Sequence, residues 1–99
     1  MALNAVAWRE ESPEDDMRTY KMQISDVSKR SANKLLREMK DWRNCGDGVN
    51  TRSKKLLFLF VRDFASEKEW LEWAKTFSYP LQEINSRGRA KKIKSAASN

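Results

Sequence analysis

The sequence predicts an α/β (α+β) fold, a two-layer sandwich in which two helices lie on one face of a small sheet of three or four strands, followed by a flexible basic tail. Three observations carry that prediction. The residues from Arg18 alternate with period two, the run Lys55 to Phe64 is apolar on both alternating faces, and helical spacing of apolar residues occurs once before and once after that run.

A chain of 99 residues is the size of one domain, and two independent cores would each be too small to hold without disulfides or metal. Three regions are expected: an acidic N-terminal segment at 1–16 with a short strand, a globular α/β domain at 17–85, and a disordered basic tail at 86–99. The short strand is Asn4 to Trp8, with Val6 and Trp8 on one side. Ser12-Pro13-Glu14-Asp15-Asp16 reads as a loop, because proline fixes its own backbone and biases the preceding residue away from helix.

The alternation of Tyr20, Met22 and Ile24 with Thr19, Lys21 and Gln23 marks a half-buried strand. Ser25, Asp26 and Ser28 are good N-cap residues, and Ala32, Leu35, Leu36, Met39 and Trp42 then follow at helical spacing, which predicts a helix over 27–45. Its expected end is Cys45-Gly46-Asp47-Gly48, where a glycine can take the left-handed conformation. Val49 to Lys54 is then an exposed basic loop. In the next strand Leu57, Leu59 and Val61 share one face and Leu56, Phe58 and Phe60 the other, a pattern that suits the sheet interior. If this strand and the one before the first helix are parallel neighbours, that helix is a right-handed crossover.

Ser66-Glu67-Lys68-Glu69 is a capping box that opens the second helix, whose Trp70, Trp73, Ala74 and Phe77 form the buried stripe, widened by Leu71. Tyr79-Pro80 stops it, and Leu81 to Ile84 offers a final edge strand.

Several function classes lose support. Histidine is absent, which removes the commonest general base and zinc ligand, and Cys45 is the single cysteine, so no disulfide framework or multi-cysteine metal site can form within the chain. At a helix C-terminus Cys45 would face the negative end of the dipole, and a small residue packed beside Trp42 is its expected role. Asp63, Glu67 and Glu83, or Glu38 with Lys40, do not make up the set of roles a nuclease needs, and Glu38 is expected to point to solvent. No phosphate-binding glycine loop appears. The expectation is a protein that is not an enzyme and takes no cofactor.

Charge divides along the chain. Residues 1–16 carry one basic and five acidic residues, net −4, and residues 17–99 carry 19 basic and 9 acidic, net +10. A cationic body favours a polyanionic partner. The candidate nucleic-acid-binding residues fall in three groups: Arg30, Lys34 and Arg37 along the first helix, Arg52, Lys54 and Lys55 before the central strand, and Arg87, Arg89, Lys91, Lys92 and Lys94 in the tail. They would neutralise phosphates of RNA or single-stranded DNA with little sequence readout. Phe58 and Phe60 resemble the alternating aromatics of the RNA-recognition motif's central strand, although Leu57 and Leu59 stand where that motif has glycines and Phe64 falls one position late. Two phenylalanines packed under a helix is the simpler expectation.

The partner expected is nucleic acid or a nucleoprotein complex. The alternative is a protein-interaction adaptor or inhibitor, such as a virus or mobile element encodes, docking on a larger protein through the acidic segment 10–16. No membrane segment is expected, since Leu56 to Val61 is far shorter than the roughly 20 residues a spanning helix needs. Met1 to Trp8 runs straight into Arg9, Glu10 and Glu11 without a secretion signal, so an intracellular site is expected, cytoplasmic or, in a eukaryote, nuclear.

Overall fold

The structure, a computed structural model, describes residues 3–10, 18–84 and 90–93, the last four by backbone alone. The elements in chain order are β1 (Asn4–Glu10), β2 (Arg18–Val27), α1 (Lys29–Glu38), β3 (Arg43–Val49), β4 (Leu56–Phe64), α2 (Glu67–Thr76), β5 (Leu81–Ile84) and β6 (Ala90–Ile93). They build an α+β domain with one mixed sheet ordered β3-β4-β2-β1-β5-β6. Among these neighbouring strands only β1 and β5 run parallel.

Period-two alternation puts Tyr20, Met22 and Ile24 of β2 on the same face as Ala5 and Ala7 of β1 and Phe58 and Phe60 of β4. All seven are buried, in one cluster with Ala32, Leu35 and Met39 from α1 and its C-cap and with Trp70, Ala74 and Phe77 from α2 and its C-cap. Both helices therefore cover the same face. Ser28 caps α1 by accepting from the Ser31 N–H at 3.1 Å, and Ser66 caps α2 by accepting from the Glu69 N–H at 3.2 Å. Glu69 reaches back not to Ser66 itself but to the N–H of Ala65, at 3.2 Å.

Among the described residues the sheet has six strands rather than three or four, and the unexpected ones are β3 and β6. β1, where a short strand is expected from Asn4 to Trp8, runs from Asn4 to Glu10 and is central in the sheet, with Ala5 and Ala7 in the core. Its buried residues are alanines, which give a weak apolar signal. β3 occupies the stretch expected to end the first helix and begin a loop. Asn44, Gly46, Asp47 and Gly48 are poor strand formers, but as the edge partner of β4 they gain ladder hydrogen bonds, with a register shift at Cys45 that marks a bulge. α1 stops at Glu38, where the Met39 N–H bonds the Leu35 carbonyl at 3.0 Å. Trp42 enters the core from the following turn, its N–H bonded to the Met39 carbonyl at 2.9 Å, which is why helical spacing runs seamlessly through it. Cys45, expected to pack beside Trp42, is exposed, whereas Trp42 is buried. Leu36, expected in the buried stripe, is 41% exposed.

β2 and β4 are neighbours but antiparallel, so α1 is not a crossover between them. It links β2 to β3, which flank β4 and are parallel to each other; α2 similarly links β4 to β5 across β2 and β1. β6 lies inside the segment expected to be a disordered tail, and pairs with β5 from Ala90 opposite Ile84 to Ile93 opposite Leu81. Among the described residues no helix is long and apolar enough to cross a membrane.

Candidate nucleic-acid interface

The pairing of Val27 with Leu56 fixes where the basic groups lie. Ser28, the N-cap of α1, follows Val27 directly, and Lys55 precedes Leu56, so the start of α1 and the β3–β4 turn share one end of the sheet. Lys29, Arg30, Arg52, Lys54 and Lys55 gather there. Asp26 sits at the same end, but its carboxylate accepts from Asn4 Nδ2 at 2.9 Å.

The turn is closed by its own hydrogen bonds. The Asn50 N–H donates to the Lys55 carbonyl at 2.9 Å, the Lys54 N–H donates to the Asn50 carbonyl at 2.7 Å, and Asn50 Oδ1 accepts from the Arg52 N–H at 3.0 Å. Lys54 takes φ 58°, the left-handed region that costs a residue with a Cβ about 1 kcal/mol. A charged lysine stands where glycine would be easier.

The first turn of α1 contains no acidic residue, and its first two residues are Lys29 and Arg30. Two cations against the positive end of a helix dipole oppose the usual preference, whereas α2 follows it with Glu67 and Glu69 in its first turn. An anion beside α1 would relieve that repulsion. Arg30, Lys34 and Arg37 are all exposed along the helix, and Lys34 Nζ lies 5.6 Å from the centre of the Tyr79 ring. None of Lys29, Arg30, Lys34, Arg37, Arg52, Lys54 or Lys55 forms an ion pair with a described residue.

Two of the three predicted groups thus meet, the helix stripe leading away from the turn. For the third, Arg87, Arg89 and Lys94 fall outside the described residues, and Lys91 and Lys92 are placed only by register, opposite Glu83 and Gln82. The acidic residues at 11–16 also fall outside the described residues.

Sequence reasoning missed three features. Lys29 belongs with Arg30, which its adjacency alone could have shown. Glu38, expected in solvent, is half-buried, and its Oε1 accepts from both the N–H and the hydroxyl of Ser78, at 3.0 and 2.7 Å. The second face of the sheet carries a cross-strand row of Arg43, Val61, Lys21, Trp8 and Ile84, over which no described helix lies. Lys21 in that row is paired with Glu10 at 2.9 Å. Phe58 and Phe60 are not on this face but buried beneath the helices.

Comparison with protein-family models, with curated proteins and with solved structures finds no match to this chain.

Proposed function

We propose that this protein binds nucleic acid, RNA or single-stranded DNA, through phosphate contacts made by the basic end of the sheet and the α1 stripe, with low sequence specificity and without catalysis. The observation that carries the reading is the Val27–Leu56 pairing, which brings Arg30 together with Arg52, Lys54 and Lys55 although 22 to 25 residues separate them in sequence. Cations with no carboxylate partner among the described residues, at the positive end of a helix, repel one another until an anion joins them. Phosphates spaced along a strand suit a helix stripe continuous with a turn.

Fluorescence anisotropy with a labelled single-stranded oligonucleotide tests the reading. Saturable binding at low salt that weakens steeply as salt rises is the expected result, because each neutralised phosphate releases a counterion. No binding at low salt would reject it.

A docking role on a larger protein is the second reading, favoured by the partly exposed Val6, Trp8, Leu59 and Ile84 on the sheet face away from the helices. Pull-down from native lysate with and without nuclease separates the two. Partners that vanish on nuclease treatment support the first, and partners that persist support the second.

A further inference from the structure

The far end of the sheet holds a different feature. Arg18 begins β2 opposite Phe64 near the end of β4, and Arg62 sits opposite Tyr20, so the two arginines are diagonal neighbours on the helix-covered face. The Arg62 guanidinium lies 4.6 Å from the centre of the Phe64 ring, and the Trp42 ring lies 5.7 Å from it. One guanidinium and an indole therefore flank Phe64, and Arg18 stands opposite it in register on the same face.

Each of the three carries a buried nitrogen without a hydrogen-bond acceptor: Arg18 Nε, Arg62 Nη1 and Trp42 Nε1. Trp42 itself is 6% exposed. A buried donor left unsatisfied loses its hydration with nothing in return, so such groups are rare and ask for a cause. Three of them on residues at this one end of the sheet face, all donors and two of them cationic, would share one remedy, an oxyanion with several acceptor oxygens. No described carboxylate supplies it, since neither guanidinium forms an ion pair with a described residue. Asp63 is near in the fold but accepts from Thr19 Oγ1 at 2.6 Å, and it points to the other face of β4. Asp41 lines an open groove with Arg43, Val61, Arg62 and Asp63 without reaching Arg62. The fourth unpartnered buried atom, Glu38 Oε2, is an acceptor on the carboxylate that Ser78 holds.

We propose that Arg18, Arg62 and Trp42 form a binding site for a phosphate group. Planar guanidinium groups match the spacing of phosphate oxygens and bind them in pairs, while the indole N–H fixes a further oxygen. Flanking aromatic rings keep water from competing. Arg18 and Val27 bound β2, so this site lies roughly 30 Å along the strand from the basic end and does not depend on it. The phosphate belongs either to a small free anion or to a nucleic-acid backbone that reaches both ends of the sheet.

The indole N–H of Trp42 reports the site directly. In a two-dimensional nitrogen–proton spectrum the four tryptophans give four indole signals, and Trp42→Phe assigns one of them. Inorganic phosphate, titrated against chloride at equal ionic strength, should move the Trp42 signal saturably and leave the other three nearly still. Arg62→Gln and Arg18→Gln should each weaken that response roughly tenfold or more, as expected when a charged hydrogen bond is removed. Arg62→Lys and Arg18→Lys, which keep the charge, should retain part of it, and undisturbed signals from the other indoles show that the variants fold. A short single-stranded oligonucleotide without terminal phosphate distinguishes the sources: if it moves Trp42 the ligand is a backbone phosphate, and if only inorganic phosphate does so the ligand is a free anion. A Trp42 signal that responds to phosphate no more than to chloride overturns the proposal, as does a response undiminished in both glutamine variants. Arg30→Gln/Lys34→Gln/Arg37→Gln at the opposite end should leave the phosphate response intact, so the two sites fail independently.

Discussion

Tyr20 and Trp70 stack face to face, their ring centres 4.3 Å apart and their planes 16° from parallel, and this contact joins α2 to the middle of the sheet. Trp70 also donates its Nε1 hydrogen to Glu83 Oε1 at 3.0 Å, so one indole spans from β2 to β5 across β1. The small Ala5 and Ala7 of β1 leave room for it.

Trp70→Ala should therefore cost about 3 to 5 kcal/mol in chemical denaturation, because it removes a fully buried aromatic and strands the Glu83 carboxylate. Lys68→Ala on the exposed side of the same helix should change stability by less than about 0.5 kcal/mol. Equal effects would mean that the helix does not dock through this face.

Burial pushes the Tyr20 phenol from its ordinary 10.0 up to about 12, with the nearby Glu83 and Glu67 carboxylates adding to the rise. An acid whose folded pKa is raised adds no pH dependence while both states are neutral. Above pH 10 the unfolded phenol ionises and the folded one does not, so stability falls between pH 10.0 and about 12. Tyr20→Phe should flatten that alkaline limb, measured by urea midpoints across the range. An unchanged slope would show that Tyr20 ionises freely in the fold.

Glu38 ties the end of α1 to the residue just beyond the C-cap of α2 through its two bonds from Ser78. Glu38→Ala should cost about 1 to 3 kcal/mol by leaving those donors without an acceptor. Glu38→Gln keeps a carbonyl oxygen in place and should cost clearly less. Identical denaturation midpoints for the two variants would show that the bonds contribute nothing.

Replacing Arg30, Lys34 and Arg37 by glutamine should weaken oligonucleotide binding uniformly across sequences. The salt slope should fall by about 0.7 for each single-strand phosphate that is no longer neutralised. Adding Arg52→Gln and Lys55→Gln should lower it further. A slope that stays constant through both steps would place the contact elsewhere.

Lys54→Gly separates charge from strain in the β3–β4 turn. Glycine takes φ 58° without the Cβ penalty, so stability should change by less than about 1 kcal/mol, while binding should weaken because a cation is removed. Full affinity in this variant would remove Lys54 from the interface.

How much of the fold is legible in the sequence depends on how strong each local signal is. β2, β4 and α2 can be read because alternating large side chains, or a capping box with an aromatic stripe, leave one geometry that buries them. β1 shows only a weak alternation because its buried residues are alanines, and β3 gives no strand signal, since glycine and asparagine favour turns and its strand form comes from pairing with β4. The basic groups of the candidate interface are legible as charge, but their convergence is not. Arg18 and Arg62 give no signal because each sits among ordinary strand residues, and only pairing makes them neighbours.

The sequence by itself determined the class of fold, the presence of two helices and the Ser66 cap of the second, most of the aromatic core and the cationic character of the body, since these follow from side-chain periodicity and charge within short windows. The tertiary structure alone decided the strand order, the antiparallel pairing of β2 with β4, the end of the first helix at Glu38, the packing of Arg62 and Trp42 against Phe64 and the place of Arg18 opposite it. Those depend on hydrogen bonds and contacts between distant segments, whose energies exist only once the chain has closed on itself.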